Sequence, residues 1–242
     1  MEARLLYRDG LMLVLDKPAG LPVHRGPVGA ATKAAGTKGA LEDHFEVLVF
    51  NKPSGLAVQG GSGVVRNVDD MLEAWRNKKG EKPRLVHRID RDTSGCLVLG
   101  RHRKALATLG DLFKQGKVGK TYWALVEGGP EADEGIIDLP LGRLNETRGW
   151  WMKVDPQGQP SVSTWKVMGR ADGKSWLALE PVTGRTHQLR VHAAHPLGLG
   201  TPIVGDRLYG HAGERLMLHA ESLAFTHPHT GERVVFESQA PF

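Results

Sequence analysis

The sequence predicts an α+β fold, a mixed, largely antiparallel central β-sheet flanked by helices. Three observations carry that expectation. Short apolar segments bounded by turn residues outnumber helical ones. Most connections between them are too short for regular βαβ crossovers. Helix signals are confined to two stretches, residues 68–78 and 104–115.

Taken in order, residues 11–15 and 47–50 each form a short apolar run entering a Lys-Pro-x-Gly turn, at Lys17 and again at Lys52. Proline fixes one φ angle in such a turn and glycine permits a positive one. The two runs belong to an internal near-repeat. Residues 6–26 laid over 41–61, an offset of 35, agree at nine of 21 positions. A true duplication and two similar strand–turn units both explain it. Between the copies, residues 28–40 hold 8 Ala or Gly among 13, with no alternation and no apolar face, and read as a flexible linker. The expected organisation is an N-terminal appendage, 1–40, followed by a compact domain, 41–242.

Within that domain, residues 68–78 read as a short helix, acidic at its start through Asp69 and Asp70 and basic at its end. A strand is expected at 96–99. Leu106, Leu109, Leu112 and Phe113 recur at helical spacing, which predicts an amphipathic helix over 104–115. Further strands are expected at 122–127, 176–179 and 234–236, the last after a Thr230-Gly231 turn.

Composition narrows the function. The 242 residues are 40% hydrophobic and 24% charged, which excludes a disordered chain, a collagen-like repeat and a disulfide scaffold. A single cysteine, Cys96, forms neither an internal disulfide nor a cysteine-based zinc cage. The longest apolar run is too short to span a bilayer, and the start lacks a secretory signal, so a cytoplasmic protein is expected. The formal net charge of +5 says little as an average, but it is concentrated. Residues 84–125 hold nine Lys or Arg against three acids. A polyanionic partner fits that segment.

Two clusters carry possible chemistry. The first is Leu85-Val86-His87-Arg88-Ile89-Asp90-Arg91-Asp92-Thr93-Ser94-Gly95. An ionised carboxylate among arginines serves as nucleophile or base, whereas a polar turn capping its own backbone is the structural alternative. The second runs from Thr183 to His192. Read as an extended strand, it puts Thr186, Gln188 and Arg190 on one face and His187, Leu189 and Val191 on the other. A solvated strand edge is the alternative. His187, His192 and His195 lack a nearby carboxylate partner, so no metal site is expected. Tyr122, beside Lys120, reads either as core or as a surface for stacking a base. No phosphate-binding loop, dinucleotide fingerprint or serine elbow is present, and no cofactor is expected.

In order and at these intervals, the motifs resemble the RluA-type pseudouridine synthase family. The resemblance rests on Asn51-Lys52-Pro53-Ser54-Gly55, His87-Arg88-Ile89-Asp90 through Thr93-Ser94-Gly95, and Lys120-Thr121-Tyr122. It continues in Gly184-Arg185-Thr186-His187-Gln188-Leu189-Arg190, Gly205-Asp206-Arg207-Leu208-Tyr209-Gly210 and Leu218-His219-Ala220. It implies the pseudouridine synthase fold, with 41–242 as the catalytic domain, and an isomerase acting on ribosomal or transfer RNA. By resemblance Asp90 is the catalytic aspartate that attacks the target uridine, and Arg190 is the ion-pair partner that orients it. Tyr122 packs against the uracil. Arg88 fills the space left by the flipped nucleotide or binds its phosphate. His87, Thr93 and Arg185 complete the substrate-binding set, with Leu218 as an apolar floor under the base. The implied enzyme needs no cofactor, metal, membrane or protein partner and works as a monomer.

Two departures stand out. The family has one Lys-Pro-x-Gly element where this chain has two, and Lys52, 35 residues before His87, has the family-like spacing. Many relatives carry an N-terminal S4 RNA-binding domain, for which 40 residues are too few. Two other readings remain at this level. One is an RNA-binding or folding module of the same fold without catalysis. The other is a glycoside hydrolase using Asp90 and Asp92 as its carboxylate pair.

Overall fold

The structure, a computed structural model, describes residues 4–8 and 12–16 as backbone and 47–61, 64–76, 79–145, 147, 150–227 and 231–242 in full. Its elements in chain order are β1 (Arg4–Arg8), β2 (Met12–Asp16), β3 (Val47–Lys52), α1 (Val68–Met71), β4 (Arg84–Leu85), β5 (Ser94–Gly100), α2 (Arg103–Lys114), β6 (Gly119–Glu127) and β7 (Glu134–Asp138). There follow β8 (Leu141–Arg143), β9 (Met152–Val154), β10 (Val162–Ala171), β11 (Lys174–Pro181), α3 (Gln188–Ala194), β12 (Leu218–Thr226) and β13 (Arg233–Glu237). The sheet structure is mixed and mostly antiparallel, as the sequence predicts. Two compact units divide the chain. One comprises Met1–Val118 with Ala224–Ser238; the other comprises Gly119–Leu223 with Gln239–Phe242.

The first unit is built on β5. Every residue of β5 is buried, which explains why Cys96-Leu97-Val98-Leu99 reads as an unbroken apolar run rather than an alternating one. Strand β3 lies antiparallel to it, with Asn51 opposite Cys96 and Lys52 opposite Gly95. The turn leaving β3 therefore meets the loop entering β5. On the other side of β3, β2 pairs in parallel and β1 pairs antiparallel to β2. The partners of β2 and β3 are Met12 and Val47, Leu13 and Leu48, Val14 and Val49, Leu15 and Phe50. Each pair is separated by the offset of the near-repeat, so the two copies of the strand lie side by side in register. The predicted linker between them falls outside the described residues.

Helix α2 forms where the spacing predicts it. Ala105 and Leu109 face inward, and the His102 ring caps the start by accepting the Ala105 amide at 3.3 Å. The helix expected over 68–78 is shorter. Asn67 caps it by accepting the Asp70 amide at 3.0 Å, but α1 ends at Met71 and continues as a 3-10 turn over Leu72–Trp75. Only Val68 and Leu72 are buried on this segment. Without an apolar stripe beyond Leu72, packing does not sustain further α turns. Trp75 finishes the segment edge-on to Phe50, the ring centroids 5.7 Å apart.

In the second unit β6, β11, β10 and β7 run antiparallel in that order, while β8 and β9 form a separate ribbon. Ala124, Val126, Leu177, Ile203 and Leu218 bury their side chains in its core with Leu189 and Ala193 of α3. That helix corrects the strand expected for the later part of residues 183–192. Gln188 through Ala193 are all buried. A short helix covered on every side has no polar face, so no 3.6-residue period marks it in the sequence. Thr186, Gln188 and Arg190 consequently do not share the single face an extended strand would give them.

Candidate active site

Asp90 stands on the loop that feeds β5. Ile89 beside it is buried and so is Thr93, whose amide donates to the Asp90 carbonyl at 3.2 Å. Between these anchors Asp90 is half-buried, and Arg88 is exposed. The next two residues are clasped by the Lys-Pro-Ser-Gly turn. Lys52, 2% exposed, donates from Nζ to the carbonyls of Pro53 at 2.9 Å, Leu56 at 2.8 Å and Arg91 at 2.9 Å. Ser54 donates to the Asp92 carbonyl at 2.6 Å, and the Gly55 amide donates to the Arg91 carbonyl at 2.9 Å. Gly55 takes φ +83°, a region that costs a residue with a Cβ but not glycine. Three carbonyls around one ammonium satisfy all three of its protons, so a buried lysine is tolerated here.

His87 is fixed within the same unit. Its Nε2 accepts the Val98 amide at 2.9 Å, and its ring stacks on Phe113 of α2 at 4.6 Å with 16° between planes. The accepting Nε2 leaves the proton on Nδ1. These contacts tie the start of the Asp90 loop to both β5 and α2.

The second unit holds the remaining predicted residues. Tyr122 lies on β6 opposite Leu179, half-buried against the apolar core. Leu218 is inside that core, 2% exposed. Arg185 is exposed and donates from Nε to the Pro160 carbonyl at 3.2 Å. Arg190 is 3% exposed. The resemblance pairs it with Asp90; the fork formed by Nε and Nη2 closes on Asp206, at 2.9 Å and 2.6 Å. Oδ1 of Asp206 also accepts the Leu208 and Tyr209 amides, at 2.9 Å and 3.2 Å. Burial by itself would raise the Asp206 carboxyl. The Arg190 fork and the two amides outweigh it and hold the group below the ordinary carboxylate value.

Sequence reasoning missed several supporting residues. Gln188, 3% exposed, opens α3 with every polar bond made. Its Oε1 accepts the Thr183 hydroxyl at 2.7 Å and the Arg185 amide at 3.0 Å, and its Nε2 donates to the Val162 carbonyl at 2.8 Å and Ser163 Oγ at 2.9 Å. His192 spends both ring nitrogens inside the unit, Nδ1 on Ser163 Oγ at 2.9 Å and Nε2 on the Leu139 carbonyl at 3.0 Å. Burial lowers its pKa, opposed by the Leu139 bond and the charge of Asp138. Tyr209 bonds His187 Nδ1 at 2.8 Å, accepts the Met152 amide at 3.0 Å and lies under the Arg190 guanidinium at 5.3 Å. Gly205 takes φ +77°, and a Cβ there would collide with the Arg215 carbonyl, so the Asp206 turn requires glycine. Among the described residues no group of three His, Cys, Asp or Glu is placed to hold a metal ion. No helix among them is long and apolar enough to cross a membrane.

Residues 46–195, more than half of the chain and including Asp90, Tyr122 and Arg190, match the family described as RNA pseudouridylate synthase. The chain belongs to this family. An RNA pseudouridine synthase of Zymomonas mobilis is 42% identical over 228 residues, covering 92% of this chain and 87% of that protein. A span of 92% does not fit within residues 41–242, so the likeness reaches into the N-terminal segment. Ribosomal large subunit pseudouridine synthase C of Yersinia pestis is 39% identical over 82% of this chain, which spans 64% of that longer protein. The solved structure of human RNA pseudouridylate synthase domain containing 1 superposes with a TM-score of 0.67 at 30% identity, covering 81% of each chain. RNA pseudouridine synthases are isomerases that take RNA as substrate, and this chain is of their fold and family.

Proposed function

We propose that this enzyme converts specific uridines of structured ribosomal or transfer RNA to pseudouridine, with Asp90 as nucleophile. The supporting observation is the mounting of Asp90. Its loop is locked by buried Ile89 and Thr93, by the Lys52 clasp and by His87, yet the carboxylate residue itself is only half-buried. A nucleophile held on a rigid mount needs little reorganisation before attack. The attack accompanies cleavage of the N-glycosidic bond; the uracil turns and rejoins ribose through carbon, Asp90 is released as the free carboxylate, and that carbon loses its proton while the freed ring nitrogen gains one. The overall change is an isomerisation and consumes no external energy.

A uridine within a stacked or paired structure must leave it first, at a cost of a few kcal/mol. Arg88, exposed next to Ile89, is assigned to the vacated space or the phosphate, and Tyr122 to packing against the extruded uracil. Arg190 is assigned to orienting Asp90. His87 and Thr93 act by positioning the loop. Arg185 contributes charge beside the α3 start, and Leu218 the apolar support.

Large-subunit ribosomal RNA leads the substrate classes, because the relatives named ribosomal large subunit pseudouridine synthase C share 39–40% identity over most of this chain. Incubation of the purified protein with large-subunit ribosomal RNA and with transfer RNA, each followed by pseudouridine mapping, tests the assignment. New pseudouridine at discrete ribosomal positions is the expected result. Modification of transfer RNA alone would move the substrate class, and modification of neither would overturn the proposal.

A further inference from the structure

The β8–β9 ribbon carries an exposed tryptophan that the reaction as described does not use. Trp150, 57% exposed, enters β9 and stands roughly perpendicular to two neighbours, Trp151 at 5.5 Å and His187 at 6.2 Å. Neither neighbour lies parallel to the indole, and more than half of Trp150 is open to solvent. Its support is unusually well fixed. His187 takes φ +51° at the start of α3, a left-handed conformation that strains a non-glycine residue and concentrates at functional sites. The His187 ring is bonded to Tyr209, Trp151 lies 6.4 Å from the same tyrosine, and the Arg190 guanidinium covers the tyrosine ring. A chain of rings thus runs from exposed Trp150 to buried Arg190.

Two exposed arginines lie close in sequence to these rings. Arg143, opposite Met152 on β8, is exposed and has no ion-pair partner among the described residues. Arg185 is exposed shortly before His187. An exposed indole with exposed arginines close by is an arrangement that binds single-stranded nucleic acid, base on ring and phosphate on cation.

We propose that Trp150 is a stacking platform for an unpaired base of the substrate RNA, with Arg143 and Arg185 taking the flanking phosphates. The inference rests on the reading of this protein as an RNA isomerase and adds to it a specificity for unpaired nucleotides near the target. Binding of two probes tests it: a single-stranded oligouridylate of about ten nucleotides and a blunt RNA duplex of the same length. Replacing Trp150→Ala weakens the single strand roughly tenfold, the loss expected for one stacked base. Trp150→Tyr recovers most of it, and duplex binding changes less than about twofold, since duplex bases are already stacked and phosphates dominate. Pseudouridine formation on structured RNA loses in parallel, mainly through KM.

Equal affinity of Trp150→Ala and wild type for oligouridylate overturns the platform. So does an equal loss on both probes, or failure of Trp150→Tyr to recover binding. A wild-type protein that binds neither probe and forms no pseudouridine overturns the functional reading itself. A wild type that isomerises uridine while Trp150→Ala matches it overturns only the platform.

Discussion

Lys52 shows how one buried charge fixes a reactive loop. Its ammonium holds the Arg91 carbonyl, one residue from Asp90, while two further carbonyls close its own turn. Replacing Lys52→Met preserves most of the apolar stem but leaves three inward carbonyls without their charged donor. The expected cost is about 3 kcal/mol, read as a lower denaturant midpoint with an unchanged slope. A midpoint within experimental error of wild type would show that the clasp is not needed. The residues that bear the family resemblance were legible in the sequence because they sit in short motifs with fixed internal order. The partners that hold them were not. Nothing local links Arg190 to Asp206, Gln188 to Val162 and Ser163, or Tyr209 to His187. Those bonds exist only after the chain has folded back on itself.

The same limit operates on elements. Strand β5 and helix α2 were legible because their apolar patterns, continuous in one and helically spaced in the other, follow directly from what each buries. Helix α3 was misread as a strand because burial on all sides erases the period that distinguishes the two. The near-repeat was visible in sequence, but its meaning was not. Parallel pairing of β2 on β3 at the repeat offset makes the first copy a cover for the outer edge of β3. Sequence spacing alone predicts that deleting residues 1–40 leaves a soluble, active domain. The pairing adds a consequence, since deletion bares an edge whose Val47, Leu48 and Val49 are buried. The truncated protein is expected to retain isomerase activity per molecule while associating as concentration rises, measured by light scattering beside an activity assay. A fully monomeric truncated protein would show that β1 and β2 do not protect that edge. Loss of folding would show that they are part of the core.

At the scale of the molecule, pH is a direct probe of buried polar groups. The folded pKa of His192 lies below its ordinary 6.5, so between those two values the unfolded chain binds more protons than the native one. Stability contributed by neutral His192 is therefore present above about pH 6.5 and declines as pH falls below it. Asp206 is also lowered, from 3.8, so its contribution with Arg190 is present above that value and lost on further acidification. Thermal unfolding from pH 8 to 3 should show two successive losses, and His192→Gln should remove the first. A first loss unchanged in that variant would assign it to another group. The basic excess of residues 84–125 suits the RNA substrate that the family membership implies.

Asp90 is the proposed nucleophile of the isomerisation, and the decisive measurement is pseudouridine yield from Asp90→Asn on an RNA that the wild type modifies. The substitution keeps size and shape but removes the attacking charge and turns one acceptor oxygen into a donor. The predicted result is loss of conversion by about 10⁴-fold or more at unchanged thermal stability. Conversion by Asp90→Asn at a rate near that of wild type would contradict it.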